Sequence, residues 1–217
     1  KKLPFLLHLH LWLTFGIGLP CAAQYQQLLH QPYKNKVYII DTLYGKLVGN
    51  KDTSDTFAFL RKMEAYGLKH HDREMVLEVE VFKAYYYSYW TFDHPHNLVL
   101  KKLKAIAEKG RKENYLHIEA RALRVIGEFY WRRVGNYELA TEYYLRLDRL
   151  LDKTNAIDFP NMAEYYYLIG ELYYFFKDYA TAKAYMYKTL SIAVTEFNWK
   201  AIWSANNTMG LCYRQLG

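Results

Sequence analysis

Two short histidine clusters are the first residues in this sequence whose types and spacing could support chemistry. His70-His71-Asp72 and His94-Pro95-His96 are rich in imidazole, a common metal ligand, and the first adds a carboxylate. A structural zinc site takes four protein ligands and a catalytic site takes three. No Cys or Glu at helical spacing completes either cluster, and both fall at predicted turns between helices. We interpret them as solvated loop histidines and predict neither a metal nor another cofactor.

Three glutamates on predicted helices, Glu128, Glu164 and Glu171, could act as general acids or bases. None of them is paired with a second carboxylate or a nucleophile at a useful spacing. The sequence also contains no P-loop, dinucleotide-binding fingerprint or serine-centred nucleophile elbow. We therefore predict that the chain is not an enzyme, that it has no catalytic residue, and that these carboxylates are solvated or form salt bridges.

Basic residues are in excess, with 29 Lys and Arg against 22 Asp and Glu and a formal net charge of +7. Many of them fall between Lys101 and Arg133, where aromatic residues such as Trp131 could stack on nucleic-acid bases. A solvated helix face is the simpler interpretation, and the export predicted below would separate the chain from cytoplasmic nucleic acid. We predict no nucleic-acid partner, while an acidic partner or a membrane surface stays open.

The first 23 residues have the layout of a secretory signal peptide. A charged start, Lys1-Lys2, precedes an apolar run over 3–19, and the small residues Cys21 and Ala23 follow. The run is short for a membrane span of about 20 residues, although an uncleaved anchor is the alternative. We predict cleavage after Ala23 and an exported chain that is periplasmic or faces the periplasm. Contact with the membrane is expected only through an uncleaved N-terminal anchor or a missing C-terminal span.

Lipidation of Cys21 is disfavoured, because a lipobox requires a large aliphatic residue three places earlier and a small one just before the cysteine. Those places hold Gly18 and Pro20. Removal of residues 1–23 leaves Cys212 as the one cysteine, so no internal disulfide can form in the mature chain.

The apolar pattern is helical beyond residue 50, because apolar residues recur three and four apart rather than in alternation. The predicted helix starts are 52–54, Asp72, Asn97 and Pro160, and the predicted stops are Gly67 and Gly110. Residues 24–50 are less regular. They predict one or two short helices, with a strand over 37–40 as the alternative.

A repeat is visible in three segments, 123–140, 166–182 and 206–217. Each contains an aliphatic-Gly pair followed by a Tyr, and the first two continue into a Tyr-containing turn and a small Ala. Their glycines, Gly127, Gly170 and Gly210, are 43 and 40 residues apart. The first segment has one more residue than the second between the glycine and the turn.

These residues resemble the tetratricopeptide repeat, a helix–turn–helix unit of about 34 residues. The longer spacing implies longer second helices or loops, and an earlier unit is expected over 73–110. The resemblance implies an all-α, right-handed solenoid of antiparallel helix pairs. It divides the chain into a signal peptide (1–23), a divergent N-terminal helical segment (24–72) and repeats over 73–217. The last repeat is truncated, and we expect the natural chain to continue.

The small and aromatic motif residues are predicted to pack the two helices of each unit together. Gly170 lacks a side chain, so a second helix can approach with Ala182 facing it. The predicted packing residues are Gly127, Tyr130, Ala140, Gly170, Tyr173, Ala182, Gly210 and Tyr213.

In proteins similar to this one, the first helices line a groove that binds an extended peptide or a partner helix. The motif positions that carry over are Arg121, Arg124, Glu128, Trp131, Glu164, Tyr167, Glu171, Tyr174, Asn207, Leu211 and Arg214. Aromatic anchors mixed with charges of both signs suit a protein or peptide partner. Glu128 and Glu171 stand where relatives that clamp a C-terminal carboxylate have Asn, which argues against that ligand.

A signal peptide, a divergent helical start and Tyr-rich repeats together look like the extracytoplasmic part of Bacteroidetes signalling regulators. The resemblance implies a protein-binding sensor or scaffold segment of a larger signal-transduction protein. Two alternatives stay open. One is a stand-alone periplasmic adaptor or assembly factor, and the other is the docking arm of an enzyme whose catalytic domain lies beyond residue 217.

Overall fold

The structure is a computed structural model that describes residues 25–49, 53–90 and 96–217. Every regular element in these ranges is helical, which confirms the all-α prediction. The α-helices are α1 (Tyr33–Gly49), α2 (Thr53–Lys69), α3 (Arg73–Trp90), α4 (His96–Lys112), α5 (Leu116–Phe129), α6 (Tyr137–Leu151), α7 (Met162–Phe175), α8 (Tyr179–Thr195) and α9 (Trp199–Leu216). A π-helical turn, Tyr130–Val134, follows α5. The predicted signal peptide lies outside the described residues, and none of the helices within them is long and apolar enough to cross a membrane.

Side-chain caps mark several helix starts. The backbone N–H of Met75 donates to Asp72 Oδ1 over 2.9 Å, so the predicted cap of α3 is confirmed. Asn136, Asp178 and Asn198 accept from the N–H groups of Leu139, Thr181 and Ala201 in the same way. Each such cap satisfies a backbone donor that the helix itself leaves free and contributes about 1 kcal/mol.

The predicted stops at Gly67 and Gly110 were wrong, because α2 runs on to Lys69 and α4 to Lys112. Both glycines permit a close approach instead. A Cβ on Gly110 would lie 2.8 Å from the backbone N of Glu119, and one on Gly67 would crowd the start of α3. Glycine inside a helix costs about 1 kcal/mol relative to alanine, which such packing readily offsets.

Two helix starts also differ from the prediction. Helix α4 begins at His96, so Asn97 lies inside its first turn. Helix α7 begins at Met162 after the left-handed residue Asn161, two residues beyond Pro160. Asn161 has a φ of 66°, outside the helical region, so Pro160 lies before the helix rather than in its first turn.

Residues 33–49 form one 17-residue helix rather than two short helices or a strand. Val37 and Ile40 are both buried, and their spacing of three residues places them on one helical face. Tyr33 adds a third buried position one turn earlier. A strand would have sent neighbouring side chains to opposite faces, so burial favours the helix.

Consecutive helices from α2 to α9 pack against each other, and α3 also contacts α5 as α7 contacts α9. We call α3, α5, α7 and α9 the first helices. One large apolar core extends from α1 to α7, a smaller one joins α1, α2 and α3, and a third small cluster joins α7, α8 and α9. Because neighbouring helices share these cores, each helix is stabilised by its contacts with the helices before and after it.

The one extra residue between Gly127 and the following turn is accommodated by the π-helical turn at Tyr130–Val134. A π turn takes up one added residue without breaking the helix. It ends at Gly135, whose φ of 70° is left-handed and therefore suits glycine. The residues on either side thus keep their packing positions.

Two repeat glycines lie at close helix crossings. A Cβ on Gly127 would lie 2.9 Å from Tyr144 Cε1 of α6. A Cβ on Gly170 would lie 2.8 Å from Tyr185 Cβ of α8, and closer still to Met186. The small residues Ala140 and Ala182 of the same second helices are fully buried, Tyr130 is buried, and Tyr173 stacks on Tyr185.

The third segment that carries the sequence motif is more open. Apart from the backbone of its own helix, no described atom lies within 4 Å of a Cβ placed on Gly210. Tyr213 is 46% exposed, and its hydroxyl lies 2.5 Å from that of Tyr187. The difference has a simple cause, since no described helix follows α9 to pack on this face.

Candidate binding groove

The first helices border two neighbouring cavities. The inner cavity, of about 370 Å³, is lined by Tyr33, Asp41, Gly45, Val81, Phe82, Tyr85, Arg121, Arg124, Val125, Asn161, Glu164, Tyr165 and Lys200. The outer cavity, of about 200 Å³, is lined by Arg124, Glu128, Glu164, Tyr167, Leu168, Lys200, Ala201 and Ser204. Because Arg124, Glu164 and Lys200 border both, the two cavities form one groove, which we call the first-helix groove.

Helical spacing brings these side chains to one surface. Arg121, Arg124 and Glu128 are three and four residues apart on α5, and so lie on a single stripe. Glu164 and Tyr167 are three apart on α7, and Lys200 and Ser204 of α9 are four apart. The rest of α5 is almost wholly buried, which fixes the direction in which its stripe faces.

Helix α1 lies across the upstream end of this groove. The ring of Tyr33 stacks on His117 of α5 at 4.1 Å between centroids, and Lys36 Nζ lies 2.5 Å from Glu74 Oε2 of α3. At the start of α7, Asn161 donates to Asp41 Oδ2 over 2.7 Å. Sequence reasoning missed this helix as part of the site. The sequence signal that could have predicted the helix is the spacing of its apolar residues at 33, 37 and 40.

Buried charges hold α1 and α5 to α3. Glu78 of α3 is 1% exposed and hydrogen-bonds to Arg121, which also lies 3.6 Å from Asp41 of α1. His117 Nε2 lies 3.2 Å from Glu74 Oε1 and 3.5 Å from Glu78 Oε2. Removing one partner of a buried ion pair strongly destabilises a protein, because the other charge is left buried alone. Arg121 therefore stabilises the fold in addition to lining the groove.

Arg124 is placed differently from Arg121. Its Nε lies 3.7 Å from Glu128 Oε2, and its guanidinium carbon lies 5.8 Å from the centre of the Tyr165 ring. Among the described residues it makes no hydrogen bond, although a quarter of its side chain remains exposed to the groove. Burial alone would lower the pKa of Arg124, but Glu128 and two tyrosines raise it above its usual value, so the guanidinium stays charged.

The groove carboxylates Asp41 and Glu164 differ in their partners, since Asp41 accepts a hydrogen bond from Asn161 and Glu164 has only a more distant cation. Glu164 Oε1 lies 3.6 Å from Lys200 Nζ, beyond the range of a charge-assisted hydrogen bond. Burial raises the pKa of Asp41, while nearby Arg121 opposes that rise. Burial also raises the pKa of the half-buried Tyr167, which hydrogen-bonds to Thr208 of α9.

The structure brings five of the predicted groove residues to the cavities, namely Arg121, Arg124, Glu128, Glu164 and Tyr167. Lys200 and Ser204 line the groove as well and were not predicted. They lie near the start of α9, before the part of the repeat motif that the sequence comparison used. Spacing from Gly210 therefore predicted groove residues that lie closer to the C-terminal end of α9 than the residues that line the cavities.

The other six predicted groove residues do not line either cavity. Trp131 packs against Phe175, with 5.7 Å between ring centroids, at the turns that follow α5 and α7. Glu171 forms an ion pair with Arg132 at 3.1 Å, and Tyr174 lies beside Tyr179. Asn207 and Arg214 are exposed and Leu211 is half-buried, all on α9.

The histidine clusters give no metal site in the described part of the chain. No group of three or more His, Cys, Asp or Glu residues there is arranged to hold a metal ion. The ring of His70 lies against Tyr66. The backbone carbonyl oxygen of His70 lies 3.2 Å from Nε2 of His30, within hydrogen-bond distance. His94 lies outside the described residues.

Comparison with known proteins finds no matching family model, no matching curated protein and no matching solved structure. The groove must therefore be interpreted from its own chemistry. It offers aromatic and apolar walls beside three cations and three carboxylates, Arg121, Arg124, Lys200, Asp41, Glu128 and Glu164.

Proposed function

We propose that this chain is a protein-binding module of tetratricopeptide-like repeats that holds an extended segment of a partner protein in the first-helix groove. The observation that carries the proposal is the outer cavity. There Tyr167 and Leu168 provide an apolar floor, and Arg124 and Glu128 provide charges of opposite sign. Protein interfaces combine a few aromatic anchors with polar groups in this manner.

The segment is proposed to run over α7 and α9, because α1 already covers the upstream end of the groove. Its side chains would carry charges of both signs, to match Glu128 and Glu164 on one hand and Arg124 and Lys200 on the other. Charge matching of this kind selects among partners more than it adds affinity.

A peptide-display selection against the purified chain tests this proposal. Selected peptides are expected to bind wild type and to lose about tenfold or more in affinity for Ser204→Trp, because the indole fills the outer cavity. Ser191→Trp is the matched control, since Ser191 is an exposed serine on α8. Recovery of no peptide, or equal binding to both tryptophan variants, would contradict the proposal.

The wider role we propose is that of an exported sensor or scaffold segment in a larger signal-transduction protein. The resemblance of the repeats and the signal-peptide layout support this role. N-terminal sequencing of the mature protein should begin at Gln24. Sequencing of the gene beyond the codon for Gly217 should find a membrane helix followed by a kinase or DNA-binding module. A stop codon after one or two further helices would favour the stand-alone adaptor, and a catalytic domain would favour the docking arm.

A further inference from the structure

Arg124 and Glu164 carry opposite charges on neighbouring first helices and line both cavities, yet they are not paired with each other. No ion pair within 4.0 Å joins these two described residues. Since both border the same space, a gap remains between a guanidinium and a carboxylate.

Each of the two groups has only a distant counter-charge. Arg124 Nε lies 3.7 Å from Glu128, and Glu164 lies 3.6 Å from Lys200, whose side chain is 81% exposed. Charge-assisted hydrogen bonds are about 2.7–2.9 Å long. Within the described residues, neither the Arg124 guanidinium nor the Glu164 carboxylate makes a hydrogen bond. Both therefore keep their capacity to bind a ligand.

The inner cavity has the size and walls of a small-molecule site. Its volume of about 370 Å³ falls in the range of ligand pockets, which is roughly 300–1,000 Å³. Tyr33, Tyr85 and Tyr165 provide aromatic walls, and α1 covers one side. A ligand of one charge sign would satisfy one open group and leave the other unsatisfied, whereas a ligand with both signs satisfies both.

We propose that the inner cavity binds a small zwitterion that carries a carboxylate and an ammonium group, as a free amino acid or a short peptide does. The carboxylate accepts two hydrogen bonds from the Arg124 guanidinium, whose planar fork suits it. The ammonium group donates to the Glu164 carboxylate, and the ligand's remaining atoms contact the tyrosine walls. This inference goes beyond the proposed function, because the ligand is a small molecule and the site includes α1.

Ligand binding is coupled to the position of α1 in this arrangement. The ligand contacts Arg124 and Glu164 beneath Tyr33 and Asp41 of α1, so it stabilises the docked helix. Amide hydrogen exchange in α1 is expected to slow when the site is filled.

The test is calorimetric titration of the full chain with each standard amino acid, supported by thermal unfolding at about 10 mM ligand. At least one amino acid is expected to bind saturably and to raise the unfolding midpoint above that in sodium chloride of equal ionic strength. Arg124→Lys and Glu164→Gln should each weaken binding about tenfold or more. The controls Arg214→Lys and Glu142→Gln change exposed residues elsewhere and should bind as wild type does.

Blocked ligands test the two charges separately. The N-acetyl derivative lacks the ammonium group and the amide derivative lacks the carboxylate, so both should lose binding. Tripeptides that bind where single amino acids do not would identify short peptides as the source of the same chemistry. Absence of binding by either class, equal binding of blocked ligands, or full binding by folded Arg124→Lys would overturn the proposal. If the peptide selection fails and the titration succeeds, the proposed peptide groove is contradicted and the zwitterion site is supported. If the selection succeeds and the titration fails, only the zwitterion site is contradicted.

Discussion

The two ends of the first-helix groove are built differently. Upstream, α1 lies on α3 and α5 and is held by the stacked ring of Tyr33 and by the ion pairs of Lys36 and Asp41. Downstream, the outer cavity is lined by α5, α7 and α9 without α1, and Trp199 and Trp203 of α9 are more than 70% exposed. The same stripe of first-helix residues therefore serves internal packing at one end and is accessible at the other. A repeat motif identifies the face, but other parts of the chain decide what covers it.

The largest expected effect separates the buried charges upstream from the exposed ones downstream. Arg121→Met leaves Glu78 buried without its main partner and should lower the free energy of unfolding by about 3–5 kcal/mol. Arg132→Met breaks the exposed pair with Glu171 and should cost about 0–1 kcal/mol. Urea unfolding of both variants measures the difference. Equal losses would mean that the cluster under α1 is not what holds the upstream end together.

The next effect compares a closed helix crossing with an open one. Gly170→Leu forces a side chain against Tyr185 and Met186 and should destabilise the fold by about 1–3 kcal/mol or more. Gly210→Leu is the matched control and should keep or raise stability, by up to about 1 kcal/mol, because leucine favours the helix and, apart from the helix's own backbone, no described atom lies within 4 Å of the Cβ position. Circular dichroism melts of both variants test this. An unchanged melt for Gly170→Leu would count against the repeat assignment.

A smaller effect concerns pH at the downstream end. Burial raises the pKa of Glu196 from 4.5 to about 7, although its Oε1 accepts from the N–H of Met162 at the start of α7. The folded state therefore holds this proton more tightly than the unfolded state. The resulting stability is fully present below about pH 4.5 and is lost as pH rises towards 7.

Because Glu196 is only half-buried and partly screened by solvent, we expect the change over that range to be about 1 kcal/mol. Glu196→Gln keeps an oxygen for Met162 but cannot ionise, so this part of the pH dependence should disappear. Urea unfolding of wild type and variant at matched pH values measures it. The assignment fails if the two pH profiles remain parallel.

The smallest effect is expected at the exposed face of α9. Trp199→Lys with Trp203→Lys removes two side chains that are more than 70% exposed, so stability should change by less than about 0.5 kcal/mol. The matched upstream change, Tyr33→Lys, removes a buried ring and should cost several times more. Comparable losses from the two would show that α9 is covered in solution.

Much of the fold could be predicted because its signals are local. Asp72 caps α3 three residues from its donor, and the glycines at 127 and 170 mark close crossings between helices adjacent in sequence. The predicted stops failed because a glycine can mark either a helix end or a close approach of the next helix, and the spacing along the chain does not distinguish the two. Gly110 looks like a helix end until Glu119 of the next helix is placed against it.

The candidate site was predictable in part for the same reason. Arg124 and Glu128 could be placed from their spacing to Gly127, which follows Arg124 by three residues and precedes Glu128 by one. The position of α1 could not, because Lys36 and Glu74 are 38 residues apart and Asn161 and Asp41 are 120 apart. Their sequence neighbours give no sign of these pairings. Trp131 failed for a further reason, since it lies in the π-helical turn, where helical spacing no longer predicts direction.

The π-helical turn has one more consequence, for how the gene can change length. One residue added to an α-helix rotates everything after it by about 100°, so most single-codon insertions in a stacked array would misdirect all later helices. At Tyr130–Val134 the chain has absorbed such an insertion within five residues. Loss of one codon from this segment would restore an ordinary turn and leave both flanking helices aligned. This segment is thus a place where the chain can gain or lose one residue while the helices on either side keep their relative orientation.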